Sequence, residues 1–199
     1  MSRLKKLLHE NPITIIVELD ENDPEFARRV ESAGADAIIL KSREHEKTIA
    51  KAVKIPLGIK IGKAEDQLEL YDFIIFPAER LFEMQGTKQT RVVMIKEMGD
   101  LNDKADVLDA AIIPRAKTAK EMSIGDLQNY ISIIISSGLP VLIPTERLIR
   151  PSEVSILADA GAKGIILTKT VFGSGRNKIE KVVSEFRIAA DDLGDVSEE

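Results

Sequence analysis

Eight short runs of β-branched and aliphatic residues recur along the chain, at 13–18, 37–41, 56–61, 73–77, 91–96, 110–115, 140–145 and 164–169, and none alternates apolar with polar. A strand that is apolar at every position is buried on both faces, the condition of a parallel strand covered by helices. Between the runs lie segments with helical periodicity at 23–32, 43–53, 64–71, 79–85, 102–108, 123–136 and 151–160; 179–193 closes the series and 3–9 precedes it. Helix starts are marked by Asp23-Pro24, by Ser123 and by Arg150-Pro151-Ser152-Glu153. Eight strand–helix units behind a leading helix predict an α/β fold, a single compact (β/α)8 TIM barrel with an extra N-terminal helix. Such barrels take about 250 residues and this chain has 199, so the connections must be minimal. A doubly wound sheet that merges two of the runs is the alternative. The barrel is expected to span 1–193, with 194–199 as a disordered acidic tail.

A repeat supports the strand–helix reading. Ala33-Gly34-Ala35-Asp36-Ala37-Ile38-Ile39-Leu40-Lys41 returns as Ala160-Gly161-Ala162-Lys163-Gly164-Ile165-Ile166-Leu167-Thr168-Lys169. In both copies a helix ends at a glycine that can take the left-handed cap, and a buried strand with a charge at its exit follows.

Those exits locate a site. The runs end at or beside Glu18, Lys41, Lys60, Glu79, Lys96, Arg115, Glu146 and Lys169. Residues just before the charges are apolar or small and suit the face packed on helices, so alternation aims the charges into the barrel mouth. Aimed at the helix layer, each would be a buried unpaired ion. Five cations against three acids make that mouth positive on a chain of net charge −5. The ligand this implies is a small anionic metabolite, a phosphorylated sugar or a carboxylate. The alternative is that the ring of charges stiffens the barrel as a set of ion pairs.

Composition removes other classes. There is no Cys, hence no disulfide, thiolate metal site or cysteine nucleophile, and two distant histidines do not make a metal site. No cofactor is implied. Without a long basic run, nucleic acid is not the expected partner. The amphipathic start is too short for a secretory core and no run of about 18 apolar residues follows, which implies a soluble cytoplasmic protein with no membrane partner. The charge content and the Ile-Ile pairs are thermophile-like. A homo-oligomer is left open, with the apolar stretch at 131–135 as the expected contact. His45, between Glu44 and Glu46, reads as solvated; Met84, Met94, Met98 and Met122 read as packing.

Phosphate in such barrels is held after strands seven and eight and at a helix N-terminus. The candidates here are Arg147 with Arg150, then Gly173, Ser174, Gly175 and Arg176, where the glycines would let backbone amides approach an oxyanion. The third run reads Leu57-Gly58-Ile59-Lys60. The seventh reads Thr145-Glu146-Arg147, ahead of Pro151-Ser152-Glu153 and Asp159-Ala160-Gly161-Ala162. In these residues the chain resembles the ribulose-phosphate-binding barrel superfamily, most nearly its N-acylmannosamine-6-phosphate 2-epimerase group. The resemblance implies that Lys60 corresponds to that group's strand-three lysine and Glu146 to its strand-seven glutamate.

Three functions follow from these residues. The first is an isomerase or epimerase of a phosphorylated sugar: Lys60, its pKa lowered by neighbouring cations, exchanges a proton with Glu146 or Glu18 as partner. Lys41, Lys96, Arg115 and Lys169 then bind the substrate and hold its oxyanion. The second is an aldolase-type lyase with Lys96 or Lys169 as Schiff-base nucleophile. The third is a non-catalytic barrel that binds an anion or serves as an assembly subunit.

Overall fold

The computed structural model describes residues 2–62, 67–84, 86–95, 101, 105–113, 123–136, 138–145, 149–173 and 176–195. Its elements, in chain order, are α1 (Arg3–Glu10), β1 (Thr14–Glu18), α2 (Pro24–Ser32), β2 (Ala37–Leu40), α3 (Glu46–Ala52), β3 (Leu57–Lys60), β4 (Phe73–Pro77), β5 (Thr90–Met94), β6 (Ala110–Ile112), α4 (Ile124–Ser136), β7 (Val141–Pro144), α5 (Val154–Asp159), β8 (Ala162–Leu167), α6 (Lys169–Phe172) and α7 (Arg176–Asp195). The strands pair in sequence order and in parallel, and β8 returns to β1 with Gly164 opposite Thr14, so the sheet closes. This is a TIM-barrel fold with helices around it, and the doubly wound alternative is excluded.

Successive residues of a strand face opposite sides, and each side is apolar here. Ile13, Ile15, Val17, Ile38, Leu40, Ile74, Phe76, Ile143 and Ile165 belong to the larger core, between sheet and helices. Ile16, Ile39, Phe73, Ile75, Val92, Ile112, Leu142 and Ile166 fill the barrel itself. Leu4 and Leu8 of α1 join that inner set, so the leading helix corks the barrel at its N-terminal end. Two ion pairs fasten the cork, Arg3 to Asp72 at 2.7 Å and Lys5 to Asp109 at 2.6 Å.

The aspartates at that end follow a rule. Asp36, Asp72 and Asp109 stand immediately before β2, β4 and β6. Each accepts the N–H of the residue at the foot of the preceding strand: Ile15 (2.7 Å), Leu57 (3.0 Å) and Arg91 (2.7 Å). Each also holds a cation, respectively Arg187, Arg3 and Lys5. Buried N–H groups at the strand starts are thereby paired, which is what a barrel without edges needs at its rim.

Expected helix starts are observed. Asp23 accepts the N–H groups of Glu25 and Phe26, with Pro24 at the first position of α2. Ser123 and Asp126 bond reciprocally ahead of α4, and the Arg150 N–H meets the Glu153 carboxylate at 2.9 Å. Several expectations differ from the structure. The helix read at 79–85 is a 3-10 helix, Ala78–Met84. The segment read at 151–160 is a 3-10 turn, Pro151–Glu153, followed by α5. In the 131–135 stretch Ile131 and Ile134 are fully buried core residues, and Ile135 alone of the described isoleucines there reaches the surface. Helix α7 extends to Asp195, past the point where the tail was expected to begin. Among the described residues no helix is long and apolar enough to cross a membrane.

Candidate functional site

Inward alternation along β1 runs Thr14, Ile16, Glu18, and along β3 it runs Gly58, Lys60. Both charges therefore emerge at the C-terminal end of the barrel, on the inner side, and they meet: the Lys60 ammonium is hydrogen-bonded to the Glu18 carboxylate. Glu18 is nearly sealed from solvent, its side chain only 6% exposed, and Lys60 keeps 19%. Lys41, one residue beyond β2, places its Nζ 3.4 Å from the other Glu18 oxygen and 3.0 Å from Oδ1 of Asp20. Lys169 then contacts Oδ2 of Asp20 at 2.8 Å. The result is a continuous line Lys60–Glu18–Lys41–Asp20–Lys169 across the ends of β3, β1, β2 and β8, buried at one end and open at the other.

Among the described residues three lysines face two carboxylates along this line. Hydrogen bonds from Lys169 and then Lys41 hold the Asp20 carboxyl below the usual carboxylate range. Burial works against the charge on Lys41, but the hydrogen bond to Asp20 and the charges of Glu18 and Asp20 outweigh it and raise its pKa above the ordinary lysine value. These neighbours favour the charged form of Lys41, which suits it to hold an oxyanion.

Lys169 reaches the line by a different route from the one its sequence suggests. β8 stops at Leu167; Thr168 caps α6 by accepting the Thr170 N–H, and Lys169 is the first residue of that helix. Thr168 is anchored in turn, its N–H donating to the Thr145 hydroxyl at 2.8 Å across to the end of β7, and both threonines are buried. Lys169 is 54% exposed at the outer end of the line. Asp20 escaped the sequence reading, which stopped at the strand end. Its signal was the same alternation, since it lies two residues beyond Glu18 on the same side.

Other expected groups are distributed differently. Glu79 sits exposed on the 3-10 helix after β4, beside Arg80, which pairs with Glu83. Gly173 ends α6 with its amide donating to the Lys169 carbonyl at 2.7 Å. Arg176 begins α7, but its side chain lies outside the described residues, as do Lys96, Arg115, Glu146, Arg147, Ser174 and Gly175. His45 is the residue before α3, largely exposed and in a left-handed conformation.

A cavity of about 560 Å³ opens beside Lys41 and Asp20, between the loops after β1 and β2. Asn22 braces it, its amide donating to the carbonyls of Ser42 (2.7 Å) and Glu44 (2.9 Å). Of the charged line, Lys41 and Asp20 border this space; Glu18 and Lys60 do not line it, and its other charged walls are the acids Glu21, Asp23 and Glu44.

No family model matches the sequence. No curated protein matches it either. Solved structures do match in fold. Thiamine phosphate pyrophosphorylase from Pyrococcus furiosus superposes with a TM-score of 0.69 at 15% identity, over 92% of this chain and 98% of that one. A structure described as native KDPGal gives 0.70 at 17%, over 94% and 97%. A cube-shaped, highly porous protein cage designed by fusing symmetric oligomeric domains gives 0.70 at 17%, over 94% of this chain and 75% of that one. The likeness is one of fold.

Proposed function

We propose that the mouth of this barrel binds a small anionic, phosphorylated, sugar-like substrate and that Glu18 and Lys60 move a proton beside its carbonyl, as in an isomerase or epimerase of the ribulose-phosphate-binding superfamily. The observation that carries this reading is the contact between a buried glutamate and a secluded lysine on the inner side of two strand ends. In TIM-barrel enzymes reacting groups sit at that end.

The chemistry follows from the charges. Glu18, held between Lys60 and Lys41, removes the proton α to the carbonyl; the C–H pair forms the new C=C bond and the carbonyl π pair moves onto the oxygen. Lys60 donates a hydrogen bond or its proton to that oxygen, and the fixed charge of Lys41 stabilises the enediolate. Return of a proton to the opposite face gives epimerisation, and return to the neighbouring carbon gives isomerisation. Lys169 sits where it can meet the anionic end of the substrate. Lys96, Arg115 and Glu146, and the phosphate cradle of Arg147, Gly173, Ser174, Gly175 and Arg176, complete the proposal from the sequence.

A lyase reading has one observation in its favour. Schiff-base formation needs a lysine in a secluded place, and Lys60 is the more secluded, its side chain 19% exposed against 54% for Lys169, although each is paired with a carboxylate that favours its charged form. Two assays separate the readings. Incubation with phosphorylated hexose and pentose derivatives in deuterated water should place deuterium on the substrate, and Glu18→Gln should abolish it. Borohydride with a keto acid or triose phosphate should leave the mass unchanged. A covalent adduct on Lys60 would replace the isomerase with a lyase, and neither exchange nor adduct would leave a barrel that only binds.

A further inference from the structure

At the opposite end of the barrel the two copies of the Ala-Gly-Ala repeat are built alike and charged oppositely. In the first copy Gly34 has φ +102°, and the aliphatic stem of Arg187 lies so close over it that a Cβ would fall 2.7 Å from its Cγ. The guanidinium of the same Arg187 then reaches Asp36 at 2.9 Å, so the copy brings its own counter-ion. In the second copy Gly161 has φ +99° and is covered as closely by Ile135, an uncharged side chain. The residue in the place of Asp36 is Lys163. Among the described residues no ion pair to Lys163 is formed.

Lys163 also faces space. It lines a cavity of about 660 Å³ with Lys5 and His9 of α1 and with Asp109, walled otherwise mainly by apolar side chains that include Leu8, Leu108 and Ile135. Lys5 and Asp109 pair with each other at 2.6 Å, which among the described residues leaves the Lys163 ammonium as the cation of this recess without an ion-pair partner. Three strand pairs at this end are closed by an aspartate of the chain. The fourth has a cation, Lys163, where the aspartate of the first copy stands, and it has room beside it.

We propose that this recess is a binding site for a small carboxylate with a short apolar tail, whose carboxylate pairs with Lys163 while the tail packs against Leu8, Leu108 and Ile135. The site is on the far face of the barrel from Lys60 and Glu18, so it is independent of the reaction assigned to them. Its volume lies in the ordinary range for small-molecule pockets, and charge-assisted pairing in a recess of that polarity selects carboxylate over alcohol.

Hexanoate and hexanol serve as probes on the whole chain, read by the imidazole NMR signals. His9 borders the recess and His45 lies at the other end of the barrel, so each spectrum carries its own control. Hexanoate should shift His9 saturably and leave His45 in place, with hexanol at least about tenfold weaker. Lys163→Asp, which gives the second copy the aspartate of the first, should weaken hexanoate by about tenfold or more. Lys163→Met provides the same comparison if the aspartate variant does not fold. No saturable shift of His9, equal binding of the alcohol, or undiminished binding by the variants would overturn the proposal.

Discussion

The Lys60–Glu18 contact makes a quantitative demand on stability that is separate from any catalysis. Removing one partner of a buried ion pair destabilises by about 3–5 kcal/mol when the survivor is left alone. Neither survivor is alone here. In Glu18→Gln the amide oxygen can still accept from Lys60, which is 19% exposed, and Lys41 keeps Asp20 at 3.0 Å. In Lys60→Met the buried Glu18 keeps Lys41 at 3.4 Å. Each single change is therefore expected to lower stability by about 2 kcal/mol, below the range for an abandoned charge. For a chain of this length that is a fall of about 4–8 °C in Tm. The double variant removes both charges together and should be about as stable as either single one, a coupling of about 2 kcal/mol. Urea unfolding of the four proteins measures it. Losses that simply add, with a coupling below about 0.5 kcal/mol, would refute the buried pair.

Two further outcomes follow. Gly58 faces into the barrel, where a Cβ would overlap the ring of the fully buried Phe73, so Gly58→Ala should cost about 1–3 kcal/mol, and Phe73→Leu in that background should recover part of it in denaturant unfolding. Acid unfolding should divide the aspartates at the corked end. Burial pushes the Asp109 carboxyl up, but the Arg91 N–H and Lys5 outweigh it and hold it below the usual range; burial prevails at Asp36 and raises it above that range. A lowered carboxyl contributes stability that is complete above its unfolded value and is lost as pH falls through the folded one, and a raised carboxyl has the opposite slope. Asp109→Asn should flatten the decline in unfolding free energy between about pH 5 and 2, and Asp36→Asn should steepen it; equal slopes in the two variants would contradict the assignment.

The order of strands was legible because each strand is apolar on both faces, a pattern that parallel strands under helices impose and few other structures do. Glu18 and Lys60 were legible for the same reason, since an ion at the end of such a strand has only the mouth to go to. The 3-10 helix after β4 was not, because seven residues of mixed polarity fit a turn of either helix. Lys169 was assigned to a strand because Thr168-Lys169-Thr170 suits one, and only the buried hydroxyl of Thr145 holds the Thr168 backbone where its side chain can cap a helix. Ile131 and Ile134 are three apart and share one face of α4, which a run of isoleucines conceals when read as a patch.

The cork has a bearing on how the chain becomes a barrel. Helix α1 precedes every strand, yet its cations end on Asp72 and Asp109, and its leucines touch side chains from as far along as Ile166. It has nowhere to dock until most of the cylinder has formed around it. Its seating is then among the late steps of folding, and the two lysine–aspartate and arginine–aspartate clasps act as a check that the staves have been assembled in full before the vessel is stoppered.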